Sequence, residues 1–133
     1  FRKKEDQESK KLFDTMNLFN AAFKDPAQIE KSLDLVDAYP LQTSAGDLTR
    51  EALREYMLKV SQLNEKRRRP FNQRIEILDD ARALCIENWP TDDEEKWVTR
   101  WTFLVRKEGG WRIDRVMTGS EKAGEDICRA GSS

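Results

Sequence analysis

The sequence predicts a single α+β domain in which three N-terminal helices pack on a mainly antiparallel sheet of four or more strands. In the first half of the chain, apolar residues recur at the three- and four-residue spacing of helices. From Phe71 onwards the pattern changes to the alternation that is typical of strands. Residues 96–116, KWVTRWTFLVRKEGGWRIDRV, read as two strands joined by a tight turn at Gly109 and Gly110. Helices followed by a meander of strands indicate the α+β class.

Composition limits the possible partners and compartments. The chain has 133 residues, enough for one domain with a real core. Its net charge of -1 argues against general attraction to nucleic acid. No apolar run approaches the ~20 residues that a membrane-spanning helix needs, so we expect no membrane insertion in this segment. Because the sequence starts at Phe1, the lack of a leader is uninformative, and the compartment stays open.

The chain contains no histidine and only two cysteines. The lack of histidine excludes Ser-His-Asp and Cys-His catalysis within the chain and removes the commonest metal ligand. We therefore expect no transition-metal site and no cofactor. Cys85 lies in a strand pattern and is interpreted as a small buried apolar residue. Cys128 lies in a polar tail, and a disulfide between the two cysteines stays open.

The first two helices follow from an apolar stripe and a capping signal. Residues 1–11 form a polar segment of mixed charge, in which a helical period begins near Glu5. Helix one ends near Lys24, and Asp25 and Pro26 then signal a short second helix that runs to about Leu35. Residues 39–43 are predicted to be extended and residues 44–46 to form a loop. The stripe of helix one consists of Leu12, Phe13, Met16, Phe19 and Phe23.

The third helix is predicted to be the longest. Asp47 or Thr49 can cap it, and Tyr56 lies on its flank. It is expected to end in the basic run of residues 65–69, where cations meet the negative end of the helix dipole, before Pro70. Its buried stripe consists of Leu53, Met57, Val60 and Leu63.

Two further strands precede the C-terminal hairpin. They are residues 74–78, RIEIL, and residues 81–89, ARALCIENW, separated by a turn at residues 79–80. In the hairpin, the odd-numbered side chains from Trp97 to Val105 are predicted to face the helices. The even-numbered ones are predicted to form the outer face. On the last strand, Trp111, Ile113 and Arg115 are expected to share one face.

Three segments carry a family resemblance: TREALREYMLKV, DDARALCIENW and RWTFLVRKEGGWRIDRV. They resemble the third helix, a turn and strand, and the closing hairpin of the nuclear-transport-factor-2-like superfamily. Its ketosteroid-isomerase-like fold is a cone in which a curved sheet wraps around a long helix. The resemblance covers Leu12 to Val116 and implies one domain at residues 12–117, with a polar tail at residues 118–133. The superfamily hosts enzymes, binding modules and assembly domains, so fold alone does not assign a function.

The resemblance implies a test for catalysis. Isomerases and dehydratases of this fold need a poised carboxylate and donors that stabilise an oxyanion in the cone's pocket. Asp37 follows helix two, where isomerase-like members place their base, and is the one weak catalytic candidate. Glu87 does not clearly match a protonated acid, helix one offers no tyrosine, and the dehydratase arrangement needs histidine. A non-catalytic role in ligand binding or protein assembly is therefore favoured, with a small-molecule isomerase or dehydratase as the alternative.

The resemblance also implies two kinds of contact surface. A cone pocket would bind a small apolar ligand, and the outer face of the sheet would form a homodimer. The aromatic residues have two interpretations, as core and as pocket wall. The interface candidates are Arg100, Thr102, Leu104 and Arg106. The pocket-lining candidates are Phe19, Phe23, Tyr39, Tyr56, Trp89, Trp101, Phe103 and Trp111.

Overall fold

The computed structural model describes residues 2–63, 69–91 and 97–119, with side chains from residue 7 onwards. Within these residues, three α-helices pack on a six-stranded, curved, mostly antiparallel sheet, which confirms the predicted α+β, cone-like fold. The helices are α1 (Arg2–Ala21), α2 (Ile29–Leu33) and α3 (Arg50–Ser61), with a 3₁₀ turn at Pro26–Gln28 before α2. The strands are β1 (Leu41–Thr43), β2 (Gly46–Leu48), β3 (Asn72–Asp79), β4 (Arg82–Pro90), β5 (Trp97–Lys107) and β6 (Gly110–Gly119).

The sheet has the strand order β2-β1-β6-β5-β4-β3. Strands β3 to β6 form the predicted antiparallel meander. The short hairpin of β1 and β2 was not predicted as a hairpin, because residues 44–46 read only as a loop. Strand β1 pairs with β6 in parallel, through Gln42 opposite Arg115 and Thr43 opposite Val116. The loop after α2 contacts the same strand nearer its start, where Val36 forms a parallel bridge to Ile113.

The helices differ from the prediction in length and confirm it in burial. Helix α1 is the longest, with 20 residues, and α3 has only 12 and ends at Ser61, so the predicted ranking was wrong. Thr49 caps α3, because its side chain accepts a hydrogen bond from the backbone N–H of Ala52. The basic run at residues 65–68 lies outside the described residues. Of the predicted stripe, Leu12, Met16 and Phe19 are buried on α1, Phe23 is buried just after its end, and Phe13 is only partly buried.

The division of the chain into segments stays a prediction. Residues 2–11 belong to α1 rather than to a separate linker. At the other end, Thr118 and Gly119 complete β6, and residues 120–133 lie outside the described part of the chain. None of the helices in the described ranges combines the length and the apolar character that crossing a membrane requires.

The C-terminal hairpin turns one residue earlier than predicted. Lys107 pairs with Gly110, so that Glu108 and Gly109 form the two-residue turn. Gly110 has φ +119°, a conformation that residues with a Cβ rarely adopt. The Gly-Gly pair therefore predicted the position of the hairpin, and the pairing register of β5 and β6 determines which two residues form the turn.

The two faces of β5 are reversed relative to the prediction. Leu104 lies in the core cluster with Leu12 and Met16 of α1, and Arg100 bonds to Asn20 of the same helix. The even-numbered residues of β5 therefore face the helices. Trp101 is only 3% exposed, yet it lies on the opposite face and outside that core cluster. Alternation alone assigns residues to two faces without saying which face the helices cover.

A β-bulge also rearranges the faces of β6. Phe103 pairs with Arg115 and Leu104 pairs with Ile113, which leaves Asp114 as the extra residue. As a result Ile113 and Val116 lie on the helix-facing side, opposite Leu104 and Thr102 of β5. Arg115 turns to the outer side, where its guanidinium lies 4.0 Å from the ring centre of Phe103. The predicted grouping of Arg115 with Trp111 and Ile113 was therefore wrong.

Candidate functional site

The helix-facing side of the sheet bounds a cavity of about 320 Å³, here called the larger cavity. Its walls come from α1, α3, the β1–β2 hairpin and strands β5 and β6. Most of the lining side chains are apolar, and Arg100 is the charged residue among those described. The lining residues are Phe19, Phe23, Leu41, Thr43, Ser44, Ala45, Leu48, Leu53, Tyr56, Arg100, Val116 and Thr118.

A second cavity of about 260 Å³, the smaller cavity, adjoins the first. The two share Phe23, Tyr56, Arg100 and Thr118 as wall residues. Tyr56 is 53% exposed, so the shared wall reaches solvent at this side chain. The smaller cavity extends towards Trp89 and towards the ends of α3 and β4. The two volumes together offer room for a small, mainly apolar molecule, which is the kind of site that ligands favour.

Arg100 and Glu87 form a buried ion pair beside these cavities. Glu87 is completely buried and Arg100 is 7% exposed. The two residues are directly opposite each other on β4 and β5, and Nη2 of Arg100 donates to Oε1 of Glu87. The same Nη2 donates to Oδ1 of Asn20 at 2.5 Å. The other carboxylate oxygen accepts from Asn20 Nδ2 at 2.7 Å and from Gln73 Nε2 at 2.8 Å. Such pairs persist in a core only when further hydrogen bonds satisfy both partners.

Three aromatic rings surround the guanidinium of Arg100. Its central carbon lies 4.6 Å from the ring centre of Trp89, 5.6 Å from that of Phe19 and 5.7 Å from that of Phe23. Phe23 and Trp89 also pack edge to face, with ring centres 5.5 Å apart. These distances fit cation–π contacts, which are stronger when the cation is removed from water. The site is thus a cation held among aromatic rings at the wall of an apolar cavity.

The predicted pocket residues divide into two sets of four. The structure places Phe19, Phe23, Tyr56 and Trp89 on the cavity walls. Whether these four contact a ligand stays a prediction. The other four, Tyr39, Trp101, Phe103 and Trp111, are not among the lining residues.

These four residues lie in three different surroundings. The hydroxyl of Tyr39 donates to the carbonyl of Leu33 at 2.7 Å, and desolvation raises the pKa of this phenol to about 12. Trp111 packs in the core, and its indole N–H donates to Glu8. Trp101 and Phe103 lie on the outer face of β5, for the reason given above.

The predicted interface residues are on the wrong face for an outer contact. Arg100, Thr102 and Leu104 are buried on the helix-facing side of β5. They therefore cannot form the outer dimer surface predicted for them. Arg106 lies on the same side near the hairpin end and is exposed, with its Nη2 3.5 Å from an oxygen of Glu8. Arg100 is a charged residue buried on the covered side of the sheet, which is unusual. Its hydrogen bonds to Glu87 and Asn20 explain this position.

Asp37 does not line either cavity. Its backbone N–H donates to the carbonyl of Ile113 at 2.8 Å, and its carboxylate lies 3.7 Å from the ammonium of Lys107. The lining residues that the structure describes include no carboxylate at all. Asp37 therefore lacks the position that a base acting in the cone's pocket would need.

The sequence reasoning missed the polar residues that hold the site together. Asn20 and Gln73 were not singled out, and Glu87 was considered only as a protonated acid. One signal was available, since Glu87 is the only acidic residue in residues 81–89 and follows the apolar run Ala83 to Ile86. An isolated acid in a buried strand requires a partner. Its partners are 67 residues before it, 14 before it and 13 after it in sequence, so only folding identifies them.

A second polar cluster connects α1 to the C-terminal hairpin. The indole N–H of Trp111 donates to Glu8 at 3.0 Å, and Lys11 contacts the same carboxylate at 3.3 Å. The pKa of Glu8 lies below its ordinary value, mainly because of the hydrogen bond from Trp111. Desolvation acts in the opposite direction and raises the pKa, but its effect is smaller. Glu8 thereby attaches the first half of α1 to β6, which is a structural rather than a catalytic role.

Thiol and carboxylate groups offer little for metal binding or nucleophilic chemistry in the described ranges. Cys85 is a free, completely buried thiol, and desolvation raises its pKa far above the ordinary value. A raised pKa makes a thiol a poor nucleophile. Cys128 lies outside the described residues. Among the residues that are described, no group of three or more cysteine, aspartate or glutamate side chains is arranged to hold a metal ion.

Comparison with known proteins supports the fold. No family model and no curated protein matches the sequence. A solved protein of unknown function with a cystatin-like fold, from Nostoc punctiforme, matches with a TM-score of 0.59 and 15% identity over 83% of this chain and 88% of that one. A candidate scytalone dehydratase from Novosphingobium aromaticivorans matches with a TM-score of 0.58 and 11% identity over 89% and 87% of the two chains.

A third solved structure has an assembly-related name. It is a candidate calcium/calmodulin-dependent protein kinase II association domain from Xanthomonas campestris, with a TM-score of 0.53 and 19% identity over 84% of both chains. At such low identities these matches show a common fold and no common activity. The fold agrees with the nuclear-transport-factor-2-like architecture that the sequence resembles.

Proposed function

We propose that this chain is a nuclear-transport-factor-2-like domain that binds a small, mainly apolar ligand without transforming it. The observation that carries the proposal is the cavity of about 320 Å³, which has an apolar wall and a single buried cation among its described lining residues. An apolar cavity with a few polar groups is the common form of a ligand site, because apolar burial supplies affinity and the polar groups supply orientation. Six of the twelve lining residues lie on strands of the sheet, so much of the wall belongs to a hydrogen-bonded framework.

Binding of methyl hydrocinnamate, a neutral apolar ester, tests this proposal. We expect one-to-one binding by isothermal titration calorimetry and a higher melting temperature, because a ligand that binds only the folded state stabilises it. Val116→Phe places a larger side chain on the wall of the larger cavity and should weaken binding. Val105→Phe is the matched control, since Val105 lies on the outer face of the same sheet. Equal binding by both variants would overturn the proposal, and so would the absence of binding of both this ester and its parent acid.

The geometry gives less support to an isomerase or dehydratase. Such an enzyme needs a carboxylate that can reach a bound substrate. The carboxylate of Asp37 lies 3.7 Å from the ammonium of Lys107, and Asp37 lines neither cavity. Both oxygens of Glu87 accept hydrogen bonds from protein side chains. The fold likeness to a candidate scytalone dehydratase, at 11% identity, does not alter this balance. Ligand binding is therefore the function that the site supports best.

A second role, homodimer formation, is supported by the composition of the outer sheet face. The register places Leu84, Ile86, Trp101, Phe103 and Met117 side by side there. Ile86, Phe103 and Met117 remain partly exposed, which suits a contact with a second copy of the chain. The fold likeness to a candidate association domain is a further reason to consider assembly. A specific contact would bury roughly 1,200–2,000 Å² in total.

Light scattering coupled to size exclusion tests the dimer. Phe103→Glu introduces a charge into the proposed contact and should convert a dimer into a monomer. Leu58→Glu is the control, because Leu58 is an exposed apolar residue on α3, away from the sheet. A wild type that is monomeric at high micromolar concentration would refute the dimer.

A further inference from the structure

Two neighbouring donors at the cavity wall lack a hydrogen-bond acceptor. Among the described residues, the buried side-chain polar atoms without a partner are Trp89 Nε1, Arg100 Nε and Thr102 Oγ1. Trp89 is 9% exposed and Arg100 is 7% exposed, so both side chains are removed from bulk water. Leaving a buried polar group unpaired is costly, and native proteins rarely do so without a reason. The indole and the guanidinium carry only donors, so what they lack is an acceptor.

The protein's own acceptors at this point do not bond to these donors. Both hydrogen bonds of Arg100 come from Nη2, which donates to Asn20 and to Glu87. A guanidinium has five N–H donors, and the one on Nε is buried without a protein acceptor among the described residues. Glu87 does not serve it, since its two oxygens accept from Nη2 of Arg100, from Asn20 and from Gln73. The ion pair therefore leaves the Nε donor of Arg100 unused.

The two side chains that carry these donors belong to the cavity walls. Trp89 and Arg100 both line the smaller cavity, and Arg100 also lines the larger one. The central carbon of the guanidinium lies 4.6 Å from the ring centre of Trp89, so the two side chains are in direct contact. The remaining walls include Phe19 and Phe23, which surround the same guanidinium with apolar surface. A group that accepts several hydrogen bonds and carries an apolar tail would match both features.

We propose that the ligand is a small apolar carboxylic acid whose carboxylate is bound by Arg100 and Trp89. This inference rests on the proposed ligand-binding function and specifies its ligand class. A carboxylate supplies about four acceptor sites and forms charge-assisted hydrogen bonds with a guanidinium, which are shorter and stronger than neutral ones. Its apolar remainder occupies the larger cavity against Phe19, Leu53 and Val116.

A comparison of hydrocinnamate with its methyl ester in the wild-type protein tests the inference. Both compounds have the same apolar body, and only the acid is charged. We expect the acid to bind about ten-fold tighter than the ester by calorimetry, which corresponds to about 1.4 kcal/mol. Equal binding, or tighter binding of the ester, would overturn the carboxylate assignment and leave the apolar pocket intact. Binding of neither compound would overturn the proposed function itself, so the two failures are distinguishable.

Two variants locate the carboxylate. Trp89→Phe removes the indole N–H and keeps an aromatic ring, so it should reduce the ratio of acid affinity to ester affinity. Arg100→Met combined with Glu87→Gln removes the guanidinium without leaving a buried carboxylate unpaired, and it should abolish the preference for the acid. An unchanged acid preference in either folded variant would overturn the assignment. If the double variant does not fold, the wild-type comparison and Trp89→Phe decide the question.

Discussion

Removal of the guanidinium of Arg100 should destabilise the fold strongly, and a second substitution should restore part of the loss. In Arg100→Met, the completely buried Glu87 keeps Asn20 and Gln73 but loses its counter-ion. Breaking a buried pair from one side typically costs ~3–5 kcal/mol, because an uncompensated charge remains. The contacts of the guanidinium with three aromatic rings add to the loss. We therefore expect a decrease of ~3–5 kcal/mol in the free energy of unfolding.

The second substitution separates the ion pair from general packing. Glu87→Gln removes the charge and keeps the shape, so the double variant no longer has a buried carboxylate without a cation. We expect the double variant to be more stable than Arg100→Met alone, with a coupling energy of roughly 1–3 kcal/mol, as for residues in one hydrogen-bond network. Urea denaturation followed by far-ultraviolet circular dichroism measures all four proteins, and equal slopes indicate a common unfolded state.

Two results would refute this reasoning. The first is an Arg100→Met protein within ~0.5 kcal/mol of the wild type, which is the behaviour of an ordinary surface residue. The second is strict additivity of the two substitutions, since independent sites add and paired ones do not. Either result would mean that Arg100 and Glu87 do not form the pair described here, and the cavity wall would need a different arrangement.

Three further outcomes follow from the packing and the titrating groups. Leu104→Ala should lower the free energy of unfolding, measured by urea denaturation, by ~2–5 kcal/mol because Leu104 is a core residue. A decrease below ~0.5 kcal/mol would indicate that Leu104 lies on the outer face. In a Cys128→Ser background, Cys85 should react with a thiol reagent only after unfolding, and prompt labelling of the native protein would contradict its burial. The pKa of Glu8 is lowered in the folded state, so its stabilising effect is present above the ordinary pKa and is lost as the pH falls through the folded value. Melting temperatures measured below about pH 4.5 should accordingly fall more steeply for the wild type than for Glu8→Gln, and parallel curves would refute the role of Glu8.

The sequence by itself determined the fold class and most of the elements. The stripe from Leu12 to Phe23 predicted α1, because burial of one helix face imposes a period of 3.6 residues. Alternation and the Gly-Gly pair predicted the C-terminal hairpin, because strands have a period of two and tight turns need special backbone conformations. These signals are local, so they can be read from neighbouring residues alone. The β1–β2 hairpin escaped because its strands have only three residues each, too few to display alternation.

The site could be predicted only in part, and for a definable reason. Phe19, Phe23, Tyr56 and Trp89 were selected for their aromatic character, and they do lie around the cavities. Trp101 and Phe103 were selected on the same ground and lie on the other side of the sheet. Aromatic residues are favoured on any half-buried strand surface, whichever side the helices cover. The residue type therefore indicated burial without indicating which side of the sheet a residue occupies.

Only the tertiary structure decided which face of the sheet the helices cover. A charged residue such as Arg100 is normally exposed, and the prediction placed it on the outer face. It is buried here because Glu87, Asn20 and Gln73 converge on one point from three other elements and stabilise the ion pair. Asn20 is 80 residues from Arg100 in sequence, so no local pattern encodes the contact. Burial of a charge is favourable only when its partners are already assembled, and that assembly is a property of the folded chain.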